Sequence, residues 1–173
     1  MTCVWRAACV RAAATSLVVL AMCACMGRSG RSVSSDVAAE YAAVEQAADS
    51  IVEVMANAIS RRDAQALAWL YLEHPYAAFV SDGLRIPQSR IAEVIGASYQ
   101  ELDSLNFVWE RKQTLVLSRD AAAVTAWAIY TSVDKKGNAR RERAVYSHVV
   151  VRERGRWRFL SSHKSAVERL PIR

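Results

Sequence analysis

The chain has 173 residues, room for one domain and a short appendage. Hydrophobic residues make up 53% and charged residues 23%, which excludes disorder throughout. The formal net charge is +6, and all four cysteines (Cys3, Cys9, Cys23 and Cys25) precede Met26, so the rest of the chain has neither a disulfide framework nor a thiolate metal site.

The first segment reads as an export signal. Arg6 and Arg11 supply a positive flank, and Ala12 to Cys25 is almost wholly apolar around Leu17-Val18-Val19-Leu20. That run falls short of the ~20 residues a membrane-spanning helix needs. An uncleaved anchor and an ordinary cleaved secretory peptide are the alternatives. Two stretches, Leu20-Ala21-Met22-Cys23 and Met22-Cys23-Ala24-Cys25, resemble the bacterial lipobox of an aliphatic residue, two small residues and a cysteine. The second has the small Ala24 before its cysteine, which favours Cys25 over Cys23 as the lipidated residue. A cysteine carrying at least two acyl chains anchors stably. The expected address is a membrane, facing the bacterial periplasm or the outer surface.

After a signal over 1–24, residues 25–35 read as a polar tether, 36–168 as the folded domain and 169–173 as a tail. Val37, Tyr41, Val44, Ala48, Ile51, Met55 and Ile59 recur at helical spacing behind Asp36, a capping residue, with Arg61 and Arg62 suited to the helix C-terminus. Asp63 caps a second helix that runs through Leu72, before Pro75. Tyr76 to Val80 is a short strand and Ser81-Asp82-Gly83 a turn. Pro87 opens a third helix carrying Ile91, Ile95, Tyr99 and Leu102. From there the period changes to two. Strands are predicted over 105–117, 122–132, 139–152 and 156–166, joined by short turns and therefore antiparallel. The fold class is α+β, an antiparallel sheet burying one face against three helices.

Charge is uneven along this layout. From Arg28 to Glu110 twelve acidic residues accompany six basic ones, and from Arg111 onward fifteen basic accompany five acidic. The late arginines alternate along strands without aromatic or glycine-rich RNA motifs, so they predict a solvated basic face near anionic headgroups and no nucleic acid.

Over 37–166 the chain resembles the nuclear transport factor 2-like superfamily, which includes ketosteroid isomerase and SnoaL-type polyketide cyclases. The segment that carries the resemblance is Gly155-Arg156-Trp157-Arg158-Phe159-Leu160-Ser161-Ser162-His163-Lys164-Ser165. It is similar to the closing strand of SnoaL-like and calmodulin-kinase-association-type members. Asp63-Ala64-Gln65-Ala66-Leu67 and Ser118 to Ala126 support it. The resemblance implies a cystatin-like α+β roll, with a curved sheet wrapped around helices as a cone, a pocket at its open end, and dimers as a common state. It implies no single activity, since isomerases, cyclases, dehydratases and plain binding modules share the fold.

No nucleophile elbow, zinc motif or phosphate-cradling loop is present. If the last hairpin turns on Arg154-Gly155 without interruption, Tyr146 opposes His163 and His148 opposes Ser161. Tyr146, His148, Val150, Phe159, Ser161 and His163 then share the inner face, with Arg143, Ser147, Arg158 and Lys164 on the other. In an isomerase, cyclase or dehydratase, His163 would be the acid or base and Tyr146 the hydrogen-bond donor. The alternative is that His148, Ser161 and His163 only satisfy one another in the core. Trp109, Trp127 and Phe159 complete the expected ligand pocket, and Trp69, Tyr71, Phe79 and Tyr130 could line the same apolar cavity, although ordinary core packing explains any aromatic. Arg111 is expected beside Trp109 on one face, where it could meet an anionic ligand, and His74 is expected to be exposed. Two strand histidines without thiols make no metal site, and no cofactor is implied. The late strands also lack the carboxylate dyad of ketosteroid isomerase. The expected function is therefore an exported, lipid-anchored domain that binds a small apolar or amphipathic molecule or an envelope protein, with homodimerisation compatible. A cofactor-independent enzyme and a purely structural envelope protein are the alternatives.

Overall fold

The computed structural model describes residues 29–171, so Cys23 and Cys25 and the export signal lie outside the described residues. The chain divides into two units, Met1–Glu40 and Tyr41–Arg173. Helix α1 spans Ser29–Ser60. It begins ahead of Asp36, so the stretch read as tether is helical from Ser29 onward. Once the alanine-rich part is nucleated, each further residue adds at little cost. Among the described residues no helix is long and apolar enough to cross a membrane.

Within the second unit, Val44, Ala48, Ile51, Val52, Met55 and Ile59 form the buried stripe of α1. The helix stops at Ser60, and Arg62 turns the chain with a left-handed φ of 57°. Asp63 caps α2, Ala64–Trp69, by accepting the Ala66 amide at 2.8 Å. This helix ends before Leu72, because Tyr71 already bridges to Phe159 in the sheet.

Strands β1 (Ala78–Ser81) and β2 (Leu84–Pro87) form a hairpin. Its two turn residues, Asp82 and Gly83, have φ of 51° and 84°, the mirror-image turn that favours an Asp-Gly pair. The periodicity does not reveal β2, because only Ile86 of its four residues is buried. A 3-10 turn, Gln88–Arg90, leads from Pro87 into α3, Ile91–Gln100. Four long strands complete the unit: β3 (Leu102–Ser118), β4 (Ala121–Asp134), β5 (Ala139–Glu153) and β6 (Arg156–Arg169).

The sheet has six strands in the order β2-β1-β6-β5-β4-β3. β3 to β6 pair antiparallel as expected, whereas β1 pairs parallel to β6. The fold is α+β, a curved mixed sheet packed on helices. Along β4 burial alternates strictly, with Ala122, Val124, Ala126 and Ala128 in the core and their neighbours half-exposed. The helix is clamped to β3 by Trp109, whose indole N–H donates to the Val52 carbonyl at 3.2 Å. Thr114 donates to Asp49 at 2.7 Å, and Lys112 bonds Glu53.

Two bulges decide which residues face the helices. At Glu110 the register slips by one, from Trp109↔Ala128 to Arg111↔Trp127. Trp109 therefore points to the core, while Arg111 lies on the outer face, 4.9 Å over the Trp127 ring. At Leu160 a second slip separates Val150↔Phe159 from Val149↔Ser161. Replacing Asp63 by Ala should cost about 1 kcal/mol through loss of the α2 cap. A lower urea midpoint at unchanged slope would show it, and an unchanged midpoint would refute it.

Candidate ligand cavity

The hairpin does turn on Arg154-Gly155, with φ of 49° and 78° and Glu153 opposite Arg156. The Leu160 bulge then alters every pairing beyond it. His148 faces Ser162 and Tyr146 faces Lys164. A bulge leaves two residues against one and reverses the alternation that follows. Ser161 and His163 are carried to the outer face, where His163 is exposed, and Ser162 and Lys164 take the inner positions. The expected pairing of His163 with Tyr146 is not formed.

A cavity of about 520 Å³ opens between α1, α2, α3 and the sheet. That lies within the ~300–1,000 Å³ of small-molecule sites and is far above the ~30 Å³ share of one water. Its inner wall is apolar, with Met55 and Ile59 from α1, Leu67 from α2, Val94 and Ile95 from α3, and Phe79 from β1. On the side of β3 it is closed by Leu102, Leu105 and Phe107. Of the expected pocket cluster Tyr146 lines it, and of the other expected aromatics Phe79 and Tyr130 do.

Trp109, His148 and Phe159 form an aromatic floor behind Tyr146. The Tyr146 ring stacks on His148 at 5.7 Å and meets Trp109 edge-on at 5.3 Å, and His148 contacts Phe159 at 5.0 Å. Trp127 lies outside on the far face of β4, under Arg111. His74 is exposed, as expected, and accepts the Tyr76 amide at 3.2 Å.

His148 is 2% exposed and shares a 2.9 Å hydrogen bond between Nδ1 and the Ser162 hydroxyl. Among the described residues its Nε2 has no hydrogen-bond partner. Burial lowers the imidazole to about 3, so it is neutral near neutral pH. A neutral imidazole sealed behind Tyr146 is a structural element rather than a proton shuttle open to the cavity.

The polar part of the cavity is at its mouth, where the sequence pattern gave no warning. Tyr130 donates its hydroxyl hydrogen to Glu142. Lys164 donates to the Tyr130 oxygen at 3.1 Å, with its ammonium 4.8 Å from the ring centroid. Arg140 approaches Glu142 at 3.5 Å. Burial, and then the bond to Glu142, hold Tyr130 well above the ordinary tyrosine range, and burial does the same for Tyr146 and Tyr99. These phenols stay protonated, and Tyr130 is already engaged as a donor. Ser81, Asp82, Ser98 and Ser132 complete the rim. Glu142 could be read from the sequence only as an acid among arginines; its pairing with Tyr130 depends on the β4–β5 register, Tyr130↔Glu142. Among the described residues no cluster of His, Cys, Asp or Glu suits a metal ion.

Residues 45–168 match the family model of the calcium/calmodulin dependent protein kinase II association domain. The chain belongs to that family. Solved structures similar to this association domain share its nuclear transport factor 2-like, SnoaL-like fold. The type 3 hexachlorocyclohexane dehydrochlorinase of Novosphingobium barchaimii superposes with a TM-score of 0.67 at 14% identity, covering 77% of this chain and 92% of its own. A nuclear transport factor 2-like superfamily protein of Salmonella enterica gives 0.67 at 18% identity, covering 76% and 96%. A protein with a cystatin-like fold from Caulobacter vibrioides gives 0.61 at 16% identity, covering 71% and 89%. No curated protein matches the sequence. These likenesses establish the fold of the association domain.

The buried His148 gives the association domain a defined acid sensitivity. The unfolded chain takes up a proton on this imidazole below about 6.5, the folded chain only near 3, so stability falls as pH drops through that window. The slope is up to ~1.4 kcal/mol per pH unit. Urea titrations from about pH 7 down to about pH 5 should show this component in the wild type and lose it in His148→Asn. Equal slopes in the two proteins would refute the assignment.

Proposed function

We propose that this association domain is a binding module carried at a bacterial membrane by a lipid-modified Cys25, and that its cavity holds one small amphipathic molecule. The observation that carries the reading is the cavity itself: an apolar interior of ligand size beneath a mouth with Lys164, Tyr130 and Arg140. An apolar body would gain about 25 cal/mol for each Å² removed from water. A carbonyl or anionic end would meet donors already in place, since Lys164 is held by Tyr130. The catalytic alternative through His163 and Tyr146 lacks its geometry, because His163 lies on the opposite face of the sheet.

The same reading has two copies meeting on the outer sheet face, where Val108 and Leu115 stand exposed. An envelope protein is the other partner that this face would accept. The membrane address rests on the apolar run before Cys25 and on Ala24 at the position preceding it.

Native mass spectrometry of the full chain purified from its own host should reveal a stoichiometric small molecule that is released on denaturation. Leu105→Trp, which fills the cavity from β3, should abolish the passenger while leaving the circular dichroism spectrum unchanged. An empty wild-type protein that is cleanly dimeric would sink the ligand reading in favour of protein docking. Metabolic labelling with an alkyne fatty acid should be lost in Cys25→Ala and kept in Cys23→Ala. Label retained in Cys25→Ala would overturn the anchor assignment.

A further inference from the structure

The cavity does not end at its rim. Leu102, Ser132 and Arg140 line it and also line a second hollow of about 430 Å³. The other walls of this hollow include Arg141, Arg169 and Leu170, together with Asp134 and Asn138 of the β4–β5 turn. The two spaces thus share a wall and differ in chemistry, the first apolar and the second arginine-rich.

The balance of charge in the second hollow is more positive than a simple count suggests. Its single acid, Asp134, is engaged by its own turn: one carboxylate oxygen accepts the Lys136 and Asn138 amides at 2.8 and 2.9 Å, and the other accepts the Asn138 side chain at 2.9 Å. These bonds hold the carboxyl below the usual range, so it is ionised but turned to a structural use. Arg140 is shared with Glu142. Among the described residues, Arg141 and Arg169 make no direct ion pair, although Arg141 is near enough to Glu110 to help lower its carboxyl. In the β5–β6 ladder Arg169 lies opposite Glu142, and the Leu170 amide donates to the Arg141 carbonyl at 2.9 Å, which brings the two main chains together beside this hollow.

We propose that the two spaces together take a single-chain amphiphile with a phosphate monoester head, its chain in the apolar cavity and its phosphate on Arg141 and Arg169, with Arg140 at the junction. The inference rests on reading the cavity as a ligand site. A single carboxylate would be met by Lys164 and Arg140 alone. A phosphate monoester carries about −1.5 to −2 charges near neutral pH and three acceptor oxygens, which match the paired N–H groups of further guanidinium forks.

Isothermal titration of the full chain against dodecyl phosphate, dodecanol and inorganic phosphate separates the possibilities. The expected result is one dodecyl phosphate bound per chain, about tenfold or more tighter than dodecanol, with inorganic phosphate much weaker than either. Arg141→Gln and Arg169→Gln should each weaken dodecyl phosphate by about tenfold and leave dodecanol unchanged, which also shows that the variants fold. Equal binding of dodecyl phosphate and dodecanol, or no effect in either variant, would overturn the phosphate assignment and leave the cavity reading standing. Inorganic phosphate binding as tightly as dodecyl phosphate would overturn the amphiphile. Failure of both chain-bearing probes would remove the cavity reading as well.

Discussion

One extra residue in β6 sets the chemistry of the inner face. With Leu160 bulged, Phe159 and Ser162 both point to the core, at 0% exposure each, although an unbroken strand would place them on opposite sides. Ser162 then shares a hydrogen bond with the buried His148, and Lys164 reaches the cavity mouth. A lysine ammonium is too strongly hydrated for the interior, so its place at the rim suits it. Its stem can lie along apolar surface while the charged end rests over the Tyr130 ring and toward solvent. If the bulge were absent, the interior would receive Ser161 and His163, and the mouth would lose Lys164.

This dependence explains what could be read from the sequence. The stripe from Val44 to Ile59, the Asp63 cap, the Arg154-Gly155 turn and the two-residue period of β3 to β6 are local patterns, each repeated or chemically marked. They gave the α+β class and most element boundaries. A bulge has no such mark. Nothing in the residue types of Glu110 or Leu160 marks a bulge, yet each reverses the facing of the residues after it until the next register shift. For that reason Arg111 parted from Trp109, and the expected cluster of Tyr146, His148, Ser161 and His163 kept only its first two members on the inner face. The polar mouth was hidden for a related reason, since Tyr130, Glu142 and Lys164 lie far apart in the chain and meet only through two successive registers.

The phenols of the site are held protonated and Tyr130 is already oriented as a donor, which supports the binding reading. A general base working near neutral pH needs a group poised there and open to the substrate. The cavity presents phenols pushed upward by burial, and His148, pushed down, lies behind Tyr146. Tyr130 is oriented from both sides, donating to Glu142 and accepting from Lys164. Preorganised donors of this kind lower the entropic cost of holding a polar end in place.

The cavity itself follows from a mismatch of lengths between helix and strand. β3 has 17 residues, and at ~3.3 Å per residue its path is more than ~50 Å before curvature. The helix rises only ~1.5 Å per residue, so the stretch of α1 from Val44 to Ser60 spans roughly 24 Å. Its contacts show where that cover runs out. Asp49 meets Thr114, Val52 meets Trp109, and Ser60 reaches the Phe107 carbonyl at 3.4 Å, after which the chain turns away at Arg62. Toward the start of β3 the contact passes to the turn after α1, where the Arg62 guanidinium donates to the Leu102 carbonyl. α2 and α3 close that region only from the sides, and Leu102, Leu105 and Phe107 line the space left between.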